Sequence, residues 1–278
     1  MHNFLTRDGT PPSQIYAAGR AELTKYGGHA QTGRVTTLSR DGERFAVHIG
    51  GRAVTARRLL VATGLRDELP DVPGLAARWG IDVLHCPYCH GWEVRDQRIG
   101  ILATGPAAAH QALLFRQLSP HVTVLAHTAP ELAREQREQF AALGVAIIES
   151  MVTRVETDDG GLTGVRLADG TRVALDALIV APRMTANAEL LAPLGLIPAE
   201  VRMGEQVMGT QIEADPSGAT GVPGVWVAGN LANIQAHVIT SAAAGLTAGA
   251  AINADLAAED AKRAVGATPR TPATTASH

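Results

Sequence analysis

Two stretches of this chain carry the same order of signals: a helix, a glycine-punctuated meander, and a short run of buried-type residues. In the first, residues 10–28 read as a helix, with Thr10 as cap, prolines in the first turn and Gly27-Gly28 at the end. Residues 34–64 follow as strands turning at Asp41-Gly42 and Gly50-Gly51, and finish in "RLLVATG" (58–64). In the second, the helix is expected over 129–144. The meander over 145–182 turns at Asp159-Gly160 and Asp169-Gly170 and ends in "ALIVAP". Between the copies, residues 98–127 read as strand, glycine turn, helix and strand, the order of a parallel crossover. Few architectures accept that series, and all of them are α/β.

Both cysteines fall in "HCPYCHG" (85–91). Cys86-x-x-Cys89-His90 has the letters of a c-type haem attachment, of half a zinc site, and of a pair that makes and breaks a disulfide. The start, "MHNFLTRDGTPP", has no basic and apolar leader, which weakens the haem reading and makes the cytoplasm the expected location. Thiols there stay reduced unless a disulfide is catalytic. Zinc lacks a second ligand pair, and His85 and His90 stand too close in sequence to complete a tetrahedron, so no metal is expected. A redox dithiol and two merely structural cysteines both remain. A net charge of −3 offers no footprint for nucleic acid or an anionic membrane, and no apolar run reaches spanning length.

Two further segments bear on ligands. "ILATGPAAA" (101–109) follows a strand and opens a helix, as a dinucleotide turn does. Ala103 stands at the first glycine position, Gly105 at the second and Ala108 at the third, and no arginine cluster follows the next strand. Gly105 and Ala107 are the candidate nicotinamide contacts, set against a turn of the same shape that binds no nucleotide. "GVWVAGN" (224–230) is a buried strand leading into Gly229-Asn230. A small-residue helix is expected from about Gln235, able to aim amides at a ligand or simply to pack closely.

Taken in order, "LLVATG", Cys-Pro-Tyr-Cys-His-Gly, the crossover and "GVWVAGN…TSAAAG" resemble the low-molecular-weight thioredoxin reductases. These are FAD-dependent pyridine nucleotide–disulfide oxidoreductases, and the resemblance covers about residues 1–256. It implies an α/β fold of two Rossmann-like nucleotide-binding domains with β-meanders, the second inserted into the first. Residues 1–80 and 186–257 would form the FAD-type domain and 81–185 the insert, with 258–278 a disordered tail.

The resemblance makes Cys89 the flavin-facing sulfur and Cys86 the sulfur that exchanges with substrate. It puts His90 where the family's proton-handling aspartate stands. It places Asn3, Ala62, Thr63, Gly64, Gly229, Asn230, Gln235, Ala236 and His237 around FAD. Cys-Pro-x-Cys-His is also similar to a subgroup of flavin dithiol oxidases, which pass electrons to oxygen and need no NAD(P)H. The implied partners are a small dithiol or disulfide or a thioredoxin-like protein, and the implied assembly is a homodimer. The family's opening strand and Gly-x-Gly-x-x-Gly turn, which hold the ADP half of FAD, have no counterpart before Met1. The expectation is therefore a truncated start and weak or absent FAD binding by this chain. A non-catalytic, flavin-free remnant is the alternative of a different class.

Overall fold

The computed structural model describes residues 1–267, which group into two compact units. The first comprises 1–32, 65–185 and 200–210, and the second 33–64, 186–199 and the chain from 211. The expected tail from 258 departs from this picture. Helix Val238–Ala267 runs through 258–267, and 268–278 lie outside the described residues. None of the described helices is long and apolar enough to cross a membrane.

The first unit is built on a five-stranded sheet in the order Val83–Leu84, Ala177–Val180, Ile99–Leu102, Val122–Leu125, Ala146–Ile148. Every pairing in it is parallel. Ile99–Leu102, helix Ala107–Arg116 and Val122–Leu125 form the expected crossover. Continuous apolar runs such as "ALIV" suit strands covered on both faces. One face packs on Phe115 and Phe140 from the helices. The other packs on the antiparallel meander Val152–Asp158, Gly161–Leu167 and Arg172–Ala174, through Val155, Val165 and Leu167. A further four-stranded sheet has the order Ala199–Met203, Gln206–Gln211, Arg183–Ala186, Leu65–Glu68.

The second unit holds the other meander, Val35–Asp41, Arg44–Ile49 and Arg52–Ala56. The two meanders thus fall in different units, as the repeated order of helix, hairpins and buried strand implies. Strand Leu59–Val61 pairs in parallel with Val225–Val227, and their register aligns Val61 with Val227. Phe45, Leu191, Val225, Val227 and Leu231 make the core. Helix Val238–Ala267 is rich in alanine and glycine and buries only Ala248.

Candidate active site

The dithiol segment begins where strand Val83–Leu84 leaves the first unit's sheet. Cys86 is the N-cap of the short helix Pro87–His90, with Pro87 at a position that needs no N–H. The amides of Cys89 and His90 donate to the Cys86 carbonyl, at 3.3 and 3.2 Å. One helical turn thereby brings the two sulfurs to 2.8 Å, with the Cys89 thiol donating to Cys86 Sγ. That hydrogen bond and partial burial push the Cys89 thiol well above the usual thiol range. Cys89 thus holds its proton, and Cys86 is the sulfur that accepts the bond. The His90 side chain is exposed at the end of the turn. His85 serves the framework: its Nδ1 lies 3.2 Å from the Val180 carbonyl, and the His85 carbonyl accepts Gln111 Nε2 at 3.3 Å.

A loop at residues 1–10 holds this turn from outside. Asn3, with a left-handed backbone at φ 61°, donates from Nδ2 to the Tyr88 carbonyl at 2.5 Å, between the two cysteines. His2 bridges two carboxylates, Nδ1 to Asp8 at 3.0 Å and Nε2 to Glu93 at 2.8 Å. Only an imidazolium donates from both nitrogens. The bonds to Asp8 and then Glu93 raise the His2 pKa accordingly. Burial pushes Glu93 up, but His2 and the nearby His90 outweigh it and hold the carboxyl below its ordinary range. Sequence reasoning missed Glu93 and His2, and no local signal could have paired residues 91 apart.

In the second unit, Ala62-Thr63-Gly64 and Gly229-Asn230 continue the two parallel strands at their carboxyl ends, side by side. Such an edge is where open α/β sheets take ligands. Thr63 and Asn187 tie it down, Thr63 Oγ1 donating to the Asn187 carbonyl at 2.7 Å and Asn187 Nδ2 to the Thr63 carbonyl at 3.1 Å. Gly229 has φ 68°, and a Cβ there would meet Ser241 Oγ at 3.4 Å. Asn230 donates from Nδ2 to the Ala236 carbonyl at 2.9 Å, which shapes the 233–236 loop. Gln235, Ala236 and His237 precede the helix, which begins at Val238 rather than near Gln235. Ala62 and Thr63 are exposed and Gly64 and Gly229 half-buried, so small residues line this edge and no bulky side chain of theirs would obstruct a flavin.

Gly105 and Ala107 lie at the crossover of the first unit, where helix Ala107–Arg116 starts after Pro106. Of the sequence candidates, Cys86, Cys89 and His90 thus lie on one turn of the first unit, with Asn3 hydrogen-bonded to it. Ala62, Thr63, Gly64, Gly229, Asn230, Gln235, Ala236 and His237 share one end of the second.

A family model described as pyridine nucleotide-disulphide oxidoreductase matches residues 9–249. The chain is 32% identical to thioredoxin reductase aclD of Aspergillus oryzae over 182 residues, 58% of this chain and 58% of that protein's length. Among solved structures, HlmI superposes with a TM-score of 0.85 at 44% identity, covering 96% of this chain and 83% of that one. An oxidoreductase from Agrobacterium tumefaciens does so with 0.83 at 33% identity, covering 92% and 84%.

Proposed function

Because this chain belongs to the pyridine nucleotide-disulphide oxidoreductase family, we propose that it is a thioredoxin reductase-like thiol–disulfide oxidoreductase working through Cys86 and Cys89 with FAD. The observation that carries this reading is the contact of the two sulfurs on one helical turn, with Cys89 as donor and Cys86 as acceptor. Cys86 is the exchanging sulfur. Its thiolate attacks one sulfur of a substrate disulfide, that S–S bond breaks, and one substrate thiol leaves. Cys89 then loses its proton and attacks Cys86 Sγ. The Cys86–Cys89 bond closes as the second substrate thiol departs. Run backwards, the same steps oxidise a dithiol and leave both cysteines reduced. FAD, when bound, supplies a carrier for the two electrons and two protons that the pair gains or loses. Ala62, Thr63, Gly64 and Gly229 are the residues to hold it. His90, exposed beside Cys89, accepts the proton that Cys89 gives up and returns it to a leaving thiolate.

A second reading, a dithiol oxidase that passes the electrons to oxygen and forms a disulfide in a small molecule, is favoured by the crossover. Ala103 replaces the first glycine of the turn, and the nearby Arg137 is already paired with Glu149 at 2.6 Å and Glu131 at 3.3 Å.

The flavin-loaded protein tests both. Cys86→Ser and Cys89→Ser should each abolish exchange with a small disulfide or dithiol. His90→Ala should slow it by about 10²-fold or more, with the flavin spectrum unchanged. Exchange at the parent rate in either serine variant would remove the dithiol from the mechanism. Rapid anaerobic reduction of the flavin by NAD(P)H would select the reductase. Oxygen uptake driven by dithiol alone would select the oxidase.

A further inference from the structure

The family generally binds a nicotinamide dinucleotide as well as FAD, and the crossover of the first unit is where such a ligand would be seated. In a dinucleotide turn the second glycine matters because it has no Cβ. The pyrophosphate then comes up against the bare backbone, at the N-terminus of the helix. Here that residue is Gly105, and the space above its Cα is taken. A Cβ built on Gly105 would lie 2.3 Å from Gln206 Nε2, 2.6 Å from its Oε1 and 2.7 Å from its Cδ. The glycine's freedom accommodates a side chain of this chain's own.

Gln206 opens the strand Gln206–Gln211 and belongs to the same unit as the turn. Its Oε1 is buried and has no hydrogen-bond partner among the described residues. That oxygen thus sits on the turn by shape, without the hydrogen bond a buried acceptor usually makes.

The rest of the turn and its surroundings disfavour an anion. Pro106 follows Gly105 and removes one backbone donor from the turn. The adjoining cavity, about 540 Å³, is lined in part by His127, Glu131, Arg137 and Glu149. Its one arginine is held between the two carboxylates. His127 Nδ1 accepts the Val152 amide at 3.1 Å, and burial lowers the pKa of the ring, so it brings no positive charge. A pyrophosphate would meet a net negative wall and an occupied seat.

We infer that Gln206 closes the first unit to nicotinamide dinucleotides by filling the pyrophosphate position over Gly105. The residues present therefore do not fit the second cofactor of the family. This inference rests on the turn and the cavity beside it, and stands apart from the thiol–disulfide reading. Nucleotide binding is measured with no dithiol turnover, so either can fail without the other.

The test is calorimetric titration of the full chain with NADH and with NADPH. The parent protein should show no saturable binding up to about 1 mM, a ceiling equivalent to roughly −4 kcal/mol. Gln206→Ala, and Gln206→Ser as a second variant of different polarity, should lower the dissociation constant at least about tenfold. Inorganic pyrophosphate should compete with the nucleotide in both. Gln206→Glu, which keeps the size and adds charge, should bind no better than the parent. Saturable binding by the parent would overturn the inference. So would folded alanine and serine variants, checked by circular dichroism, that bind no better than the parent.

Discussion

The hydrogen bond from Cys89 to Cys86 sets an order of reactivity within the pair. Cys89 is held protonated by that bond and by burial, while Cys86 is the sulfur that accepts the bond. Each unit of pKa between two thiols is worth about a factor of ten in thiolate fraction. In the reduced protein near pH 8, iodoacetamide should therefore modify Cys86 at least about tenfold faster than Cys89, as read by peptide mass spectrometry. Equal labelling, or Cys89 first, would show that the donor and acceptor roles are assigned the wrong way round. The spacing made contact between the two sulfurs legible in the sequence, because residues three apart on one turn meet without help from the rest of the fold; their roles came only from the family resemblance. The partners of the turn were not. Asn3 reaches Tyr88 and His2 reaches Glu93 across some ninety residues, and nothing local marks either pairing. Asn3, assigned to the flavin by resemblance, bonds here to the dithiol turn.

Among the elements, the junction between the turn at Ala76–Arg78 and the first unit's meander depends on one carboxylate. Asp82 Oδ1 accepts Arg78 Nε at 2.8 Å, and Oδ2 accepts the Leu162 amide at 2.9 Å as well as the other arm of Arg78. Burial pushes the Asp82 carboxyl up, but Arg78 and the Leu162 amide outweigh it and hold the group below its ordinary value near 3.8. A depressed folded pKa contributes stability that is present above the unfolded value and is lost as pH falls through the folded one. Asp82→Asn should cost about 2 kcal/mol near neutral pH, the scale of hydrogen bonds to a charged group. The difference from the parent should shrink as denaturation is followed below pH 4. A constant difference at every pH would mean that the charge plays no part.

The elements themselves were read well where glycine and aspartate punctuate them, since turn chemistry is local. The end of helix Val238–Ala267 was missed for the opposite reason. Its last turns are polar and read as tail, but Glu259 and Asp260 are bound by Arg57, and Glu259 also by Arg58 at 2.7 Å. Those arginines sit some two hundred residues earlier in the chain.

At the scale of the whole molecule, the two units have separate cores and different reserves. The first has a five-stranded sheet covered on both faces, with Phe115 and Phe140 fully buried. The second has a two-stranded parallel sheet whose Leu60 remains 40% exposed, and a thirty-residue helix that buries one side chain. Regions with few buried apolar contacts open most readily, so amide exchange should be faster in the second unit, at 59–61 and 225–227, than in strands 99–102 and 177–180. A flavin held at the carboxyl ends of that small sheet binds the folded form and not the open one. At a free FAD concentration one hundred times its dissociation constant, linkage adds about 2.7 kcal/mol against opening. Added FAD should therefore slow exchange at Val61–Gly64, Val227–Asn230 and the first turns of the helix from Val238. It should leave the Gly105 turn, closed by Gln206, at its original rate. Protection at the Gly105 turn alone would put the flavin in the wrong unit. No protection in either unit at FAD concentrations that turn the protein yellow would remove residues 62–64 and 229 from the cofactor site.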